Sequence, residues 1–404
     1  MKEMYLVERI YFDEINVSNG RNWFLIMKLR LPNYYKNFKC IADKCKDSCC
    51  SAGWEIDIDD KTAKFYKNVK GNFGDKLRKN IKFEYETMKS DECSPNNSNT
   101  SHFILNNNNK CPFFNKNGLC DIYTNLGENN LCQICTEHPR YYEWFDNLKE
   151  GGIGLCCEEA ARIIMCNDND FGTFEIDIPY EDCNDYNVEI FDYLSLARSK
   201  IIDYISDNSI TLFSQIGNIL WYCYMIQQDL DCELLDDENI ICLDFAPNAF
   251  NSNVFATDFF NKTLQFFSTM DINDENWLYL LKKCQNLNVS EKSFNEFMNS
   301  RPEINLYLKN IYVYFIWRYF MKGCFDNEIL SKVKLATISI IVINYLWYCK
   351  WLDSGKISFD DMIDITKKYS EEIEYCEENL FKLAQASYDF DIFSIDNLLK
   401  ICGC

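Results

Sequence analysis

The stretch FKCIADKCKDSCCSAGWEIDID, Phe38 to Asp59, sets Cys40, Cys45, Cys49 and Cys50 into one short segment, the last two side by side. It opens a series. Of the 22 cysteines in 404 residues, twelve fall between Cys40 and Cys166 and ten are scattered over the remainder. The N-terminal MKEMYLVERIYFDEINV mixes charges among its apolar residues and so lacks the core of a secretion signal. A cytoplasmic chain is therefore expected, in which crowded thiols point to metal or redox chemistry rather than a disulfide framework.

Downstream, CPFFNKNGLCDIY reads as a hairpin whose NKNG turn brings Cys111 and Cys120 together. NNLCQICTEHPR reads as a short helix stopped before Pro139; it carries Cys132 and Cys135. A second adjacent pair, Cys156 and Cys157, precedes the helix EEAARIIMC. Thiolates are strong donors to zinc and iron. Neighbouring side chains diverge, so either Cys49 and Cys50 serve different centres or one of them is a core residue. Structural zinc favours C-x2-C pairs, of which only Cys132/Cys135 is offered, with His138 as a candidate fourth ligand. Imidazole is scarce, the chain having two histidines. Eight or more irregularly spaced cysteines suit an all-thiolate iron–sulfur cluster better. The C-x3-C-x2-C signature is absent, Ala52 standing at its third position, and EGGIGLCC reads as a turn before a helix rather than a phosphate loop.

NWFLIMKLRLP (Asn22 to Pro32) reads as a strand, as do HFIL within an asparagine-rich connector and FGTFEIDIP. Asp59 and Asp60 are candidate caps of a helix on which Thr62, Phe65, Tyr66 and Val69 recur at helical spacing. From about Asp185 the pattern changes to long aromatic-rich helical segments such as VEIFDYLSLARSKIIDYI and INLYLKNIYVYFIWRYFMKG. The expected fold is an α+β cysteine-rich metal-binding lobe over residues 1–180, followed by a predominantly α-helical domain over 181–404. The longest apolar run, LATISIIVINYLWYC, has fifteen residues; a bilayer span needs about 20, so this is a buried core helix and no membrane is expected. A net charge of −21 disfavours nucleic acid and anionic lipid, and would attract a basic, lysine-bearing partner.

At these motifs the chain resembles the flagellin lysine-N-methylase family, whose cysteine-rich part is similar to zinc- or iron-chelating domains. The matching stretches are FKCIADKCKDSCCSAGWEIDID, CPFFNKNGLCDIYTNLGENNLCQICTEHPR, GLCCEEAARIIM and YSEEIEYCEENL. The resemblance implies a metal-ligand set of Cys40, Cys45, Cys49, Cys50, Cys111, Cys120, Cys135 and Cys157; Cys132 and Cys156 are less expected, and Cys223 and Cys349, at helical core positions among aromatics, are expected to be spectators. Asp47, Gly53, Trp54, Pro139 and Arg140 also match. The chain departs from the pattern at His138, where the family has tyrosine, and at Cys156-Cys157-Glu158, where it has Ser-Cys-Pro. It departs again at Glu372 and Tyr375, where the family has arginine and histidine.

What the resemblance implies is methyl transfer from S-adenosylmethionine to lysine side chains of flagellin, with a 4Fe-4S iron–sulfur cluster and zinc as the alternative metal. Arg140 is a candidate partner for the donor's carboxylate. A lysine must be neutral to attack a methyl group, and a desolvated aromatic pocket would favour that state and hold the sulfonium by cation–π contact. The competing readings are a non-catalytic iron–sulfur electron-transfer protein and a structural zinc protein.

Overall fold

The computed structural model describes residues 26–403 other than 47, 52, 55, 84–100, 184 and 236–256. Asp47, the first four residues of the strand expected at Asn22 and the first nine residues of the asparagine-rich connector lie outside the described residues. The rest of that strand is β1, Ile26–Pro32. Alternation buries Met27, Leu29 and Leu31 on one face and leaves Lys28 and Arg30 on the other. β2 (Asp57–Ile58), β3 (Ile81–Lys82) and β4 (Ser101–Phe103) form a small antiparallel sheet in the order β2-β4-β3. β5 (Arg140–Phe145), β6 (Leu148–Ile153) and β7 (Thr173–Pro179) join β1 in a four-stranded sheet, β5-β6-β1-β7, where only the β1–β6 pair is parallel.

Between the strands lie short helices at Asp60–Asn68, Gly71–Lys79, Asp121–Leu126, Gln133–Glu137 and Glu158–Met165. Asp59 caps the first, accepting from the Thr62 N–H, as its place before the periodic run predicts. The buried face is Ala63 and Tyr66 rather than one that includes Phe65, which is exposed. The NKNG turn forms with Gly118 at φ 74° and pairs Phe114 with Cys120. Among the described residues no strand follows Pro179, and those from Val188 onward are mainly helical, beginning with Val188–Ser206 and Leu212–Asp231.

EGGIGLCC is a strand running into a turn, a correction to its reading as a turn alone. Gly151 and Gly152 lie inside β6 opposite Tyr142 and Tyr141. A Cβ on Gly151 would stand 2.6 Å from the Tyr142 ring, so the glycines make room for the tyrosines of the neighbouring strand. Those rings supply packing that a glycine strand cannot make for itself.

Two main cores result. The smaller gathers Ile56, Ile58, Tyr66, Leu77, Phe103, Phe113 and Ile122 with several cysteines. The larger joins Tyr34, Phe145, Ile153 and Leu155 to the helices of the second half. Its axis is the helix Ile329–Ser354, which is long and apolar enough to cross a membrane and is 94% buried inside the protein over its most apolar window. Against the four-stranded sheet lies the helix Glu303–Tyr319. It directs Asn310, Tyr314 and Trp317 at the first half, spaced as one helical face.

Candidate functional site

The thiols sort by core. Cys50, Cys111, Cys120, Cys132 and Cys135 all pack into the small core. The Cys111 N–H donates to the Cys50 carbonyl at 2.9 Å, which fastens the hairpin to the first cysteine segment. Cys135 donates its S–H to Cys132, holding that thiol below its ordinary pKa while burial and the donated bond push Cys135 up. Burial also pushes Cys111 up, to about 12, and raises Cys120.

Cys49 belongs elsewhere. Its S–H donates to Cys50, but its other sulfur neighbours are Cys157 and Cys40. Cys157 packs on the large core, at the turn between β6 and the helix Glu158–Met165. The adjacent pair therefore spans two environments. Cys45 donates to Glu158 Oε2 at 3.5 Å, and the Lys46 N–H donates to the same oxygen at 2.8 Å. Glu158 thus anchors the cysteine segment to the sheet-helix turn. Cys156 is buried, with its pKa raised by burial, and accepts from the Tyr375 hydroxyl.

Among the described residues no three His, Cys, Asp or Glu side chains stand at the spacing of a formed metal centre. The donors nevertheless fit one in chemistry: soft thiols share a buried core, two pairs already in sulfur–sulfur contact. His138 does not join them. It lies edge-on to Trp54, centroids 5.2 Å apart, and burial with Lys367 and Arg140 nearby lowers its pKa to about 4. Cys223 and Cys349 are buried among the helices, as core residues.

Beside the Cys156 turn lies a constellation the sequence did not single out. The Arg318 guanidinium sits 4.6 Å from the Tyr141 ring, 5.0 Å from Tyr375 and 5.3 Å from Tyr319. It donates to Glu374 Oε1 at 3.1 Å. The hydroxyls of Tyr314 and Tyr319 donate to the same oxygen at 2.9 and 3.0 Å. Glu374 is 4% exposed, and its Oε2 and the Tyr141 hydroxyl have no hydrogen-bond partner among the described residues. Tyr314 also receives the Leu155 N–H at 3.4 Å. This box closes the seam between sheet and helices, and Tyr375 connects it to Cys156. The sequence signals were the aromatic richness of the segments that supply it and the stretch YSEEIEYCEENL, which carries Glu374 and Tyr375.

Arg140 stands at the start of β5. Its Nε donates to the Tyr35 hydroxyl at 2.8 Å, its Nη1 to the Thr136 carbonyl at 3.1 Å, and its guanidinium lies 5.2 Å from the Phe38 ring.

The family model for the FliB lysine N-methylase C-terminal domain matches residues 198–401, just over half of the chain. Over 146 residues the chain is 27% identical to proteins named lysine-N-methylase from Salmonella choleraesuis (strain SC-B67) and Salmonella typhimurium (strain LT2). That stretch is 34% of this chain and 32% of each relative, so the chain matches about a third of their length. It is equally similar to the flagellar biosynthetic protein FliU of Salmonella muenchen, of which the match covers 77%. No solved structure matches. With its tyrosine box, Arg318 and Glu374 all inside the matched region or packed on it, the chain belongs to the FliB lysine N-methylase family.

Proposed function

We propose that the protein methylates lysine side chains, takes the methyl group from S-adenosylmethionine, acts on flagellin and carries an iron–sulfur cluster on its cysteine-rich half. The observation that carries the reading is Glu374. Its carboxylate is buried at the seam, three donors occupy one oxygen, and the other has no partner among the described residues. That oxygen is a free acceptor for the proton a lysine ammonium must lose before it can attack. The amine lone pair then forms the N–C bond as the C–S bond of the donor breaks, and the electron pair leaves on sulfur. The rings of Tyr141, Tyr319 and Tyr375 already face one cation and suit a sulfonium or ammonium in the same way. Arg140 and Arg318 are the guanidinium candidates for the donor's carboxylate.

The cluster would draw on Cys40, Cys49 and Cys157 beside the seam, or on the thiols of the small core. Bound there, it would supply an open iron for the donor's amino and carboxylate groups, or one wall of the pocket. The small thiol core favours a second reading, a non-catalytic iron–sulfur or structural zinc protein. The test incubates anaerobically purified, metal-loaded protein with S-adenosylmethionine and flagellin from the same cell, and reads lysine mass shifts. Methylated lysines are expected. Fully loaded protein that transfers no methyl group would leave the second reading standing.

A further inference from the structure

A narrow cavity stands against the Arg318 box. Arg318 and Tyr141 line it together with Gly151 and Trp317, and Glu143 and Lys322 stand at its rim. Its volume, about 10 Å³, is room for a single water molecule. Burial of the charged side chains gives the cavity a direction. Arg318 is 12% exposed and its partner Glu374 is fully buried, whereas Glu143 and Lys322 are 24% and 43% exposed. Arg318 and Trp317 come from the helix Glu303–Tyr319, and Lys322 from the turn that follows it. The Trp317 N–H donates to the Gly151 carbonyl at 3.0 Å, which fixes one wall to the sheet.

Glu143 and Glu150 stand opposite each other in the β5–β6 ladder, and both line the cavity. Carboxylates so placed repel unless each has a cation. Glu150 has Arg198, in a buried pair. Glu143 has Lys322, whose Nζ stands 2.9 Å from Oε2. That second pair is open to solvent, so it is weakly held and its partners can exchange. The charged groups of the lining are two carboxylates and two cations, Arg318 and Lys322. With Lys322 turned out to solvent, the lining is one cation short and Glu143 is free to accept another ammonium.

We propose that Glu143 and Lys322 form the entrance for a substrate lysine. Glu143 receives the incoming ammonium in place of Lys322, and the chain's own lysine keeps the entrance closed until a substrate displaces it. An unbranched side chain suits so narrow a passage: its methylenes lie along Trp317 and Tyr141 while the charged head goes ahead. Arg318 and Tyr141 belong to both cavity and box, so an ammonium that has passed Glu143 arrives beside Glu374. The inference rests on the reading of the box as the site of lysine methylation, but the binding step is measurable without methyl transfer. Protein that binds a lysine probe through Glu143 and methylates nothing keeps the entrance and loses the methylase reading. Protein that methylates flagellin with no part for Glu143 in binding does the reverse.

The experiment titrates Nα-acetyl-lysine methylamide, by ligand-observed NMR, into the full chain as wild type, K322M, E143Q and D353N. The uncharged norleucine analogue is the control ligand. Asp353 pairs with Lys283 at 2.6 Å and lines no part of this cavity, so D353N controls for the loss of a surface ion pair. K322M removes the competitor and is expected to tighten the lysine probe about 2–5-fold, the strength of a partly exposed ion pair. E143Q is expected to loosen it by a similar factor, and D353N to leave it unchanged. Equal affinity in wild type, K322M and E143Q would overturn the assignment, as would the absence of measurable binding in K322M. So would equal tightening of the norleucine analogue in K322M, which would show a widened mouth in place of an exchange of charges.

Discussion

Arg198, on the helix Val188–Ser206, grips both oxygens of Glu150 on β6, with Nη1 2.7 Å from Oε2 and Nη2 2.6 Å from Oε1. Both side chains are 5% exposed, and Arg30 reaches Glu150 from β1 at 3.2 Å. Removing one partner of a buried pair strands the other charge, a cost of about 3–5 kcal/mol. E150A is therefore expected to lower the urea unfolding free energy by about that much. A loss below about 1 kcal/mol would show the pair to be solvated in solution.

At the seam, E374Q keeps the shape of the side chain and removes the proton acceptor. Methyl transfer is expected to fall about 10²–10⁴-fold, the usual worth of a positioned base, with the bound S-adenosylmethionine fraction little changed. Unchanged turnover in a folded E374Q protein would remove Glu374 from the reaction.

His138 links stability to pH. Its folded pKa, about 4, lies below the ordinary 6.5 because burial and two cations disfavour the imidazolium. The unfolded chain then binds more protons between those values, so the contribution is present above about pH 6.5 and is lost as pH falls toward 4. At the limit it amounts to about 3 kcal/mol. H138F should flatten the melting temperature over that window; a slope equal to wild type would assign the acid sensitivity to other groups.

Gly151 tests the tyrosine seam from the strand side. In G151A the new methyl would meet the Tyr142 ring at 2.6 Å and the Tyr141 carbonyl at 2.9 Å. Overpacking of that kind costs about 1–3 kcal/mol, measurable as a lower melting temperature. A neutral G151A would mean that the Tyr142 ring moves freely.

Much of the architecture was legible where a local pattern is self-sufficient. Asp59 before its helix, the alternation of Thr173–Pro179 and the apolar run inside Ile329–Ser354 each carry their own period or cap. Gly151 and Gly152 were misread because the reason for a glycine strand lies on another strand, in the Tyr141 and Tyr142 rings. The thiols were legible as a set but not in their grouping, since which of them share the small core and which pack at the sheet-helix turn depends on tertiary packing that spacing does not encode. Tyr141, Arg318 and Glu374 come from three segments far apart in the chain, and each alone looks like an ordinary core or surface residue.

The large core has a consequence for the order of events during synthesis. It packs Tyr34 and Phe145 together with Ile341, Phe393 and Cys402. A chain emerging from the ribosome can complete the small thiol core early, since its members fall between Cys50 and Cys135. The four-stranded sheet must wait with one face incomplete until the helix Glu303–Tyr319, whose Trp317 donates to the Gly151 carbonyl, has been made. Ribosome pausing late in translation would hold that face open to other hydrophobic surfaces, and a shielding chaperone would be of most use to this protein at that moment.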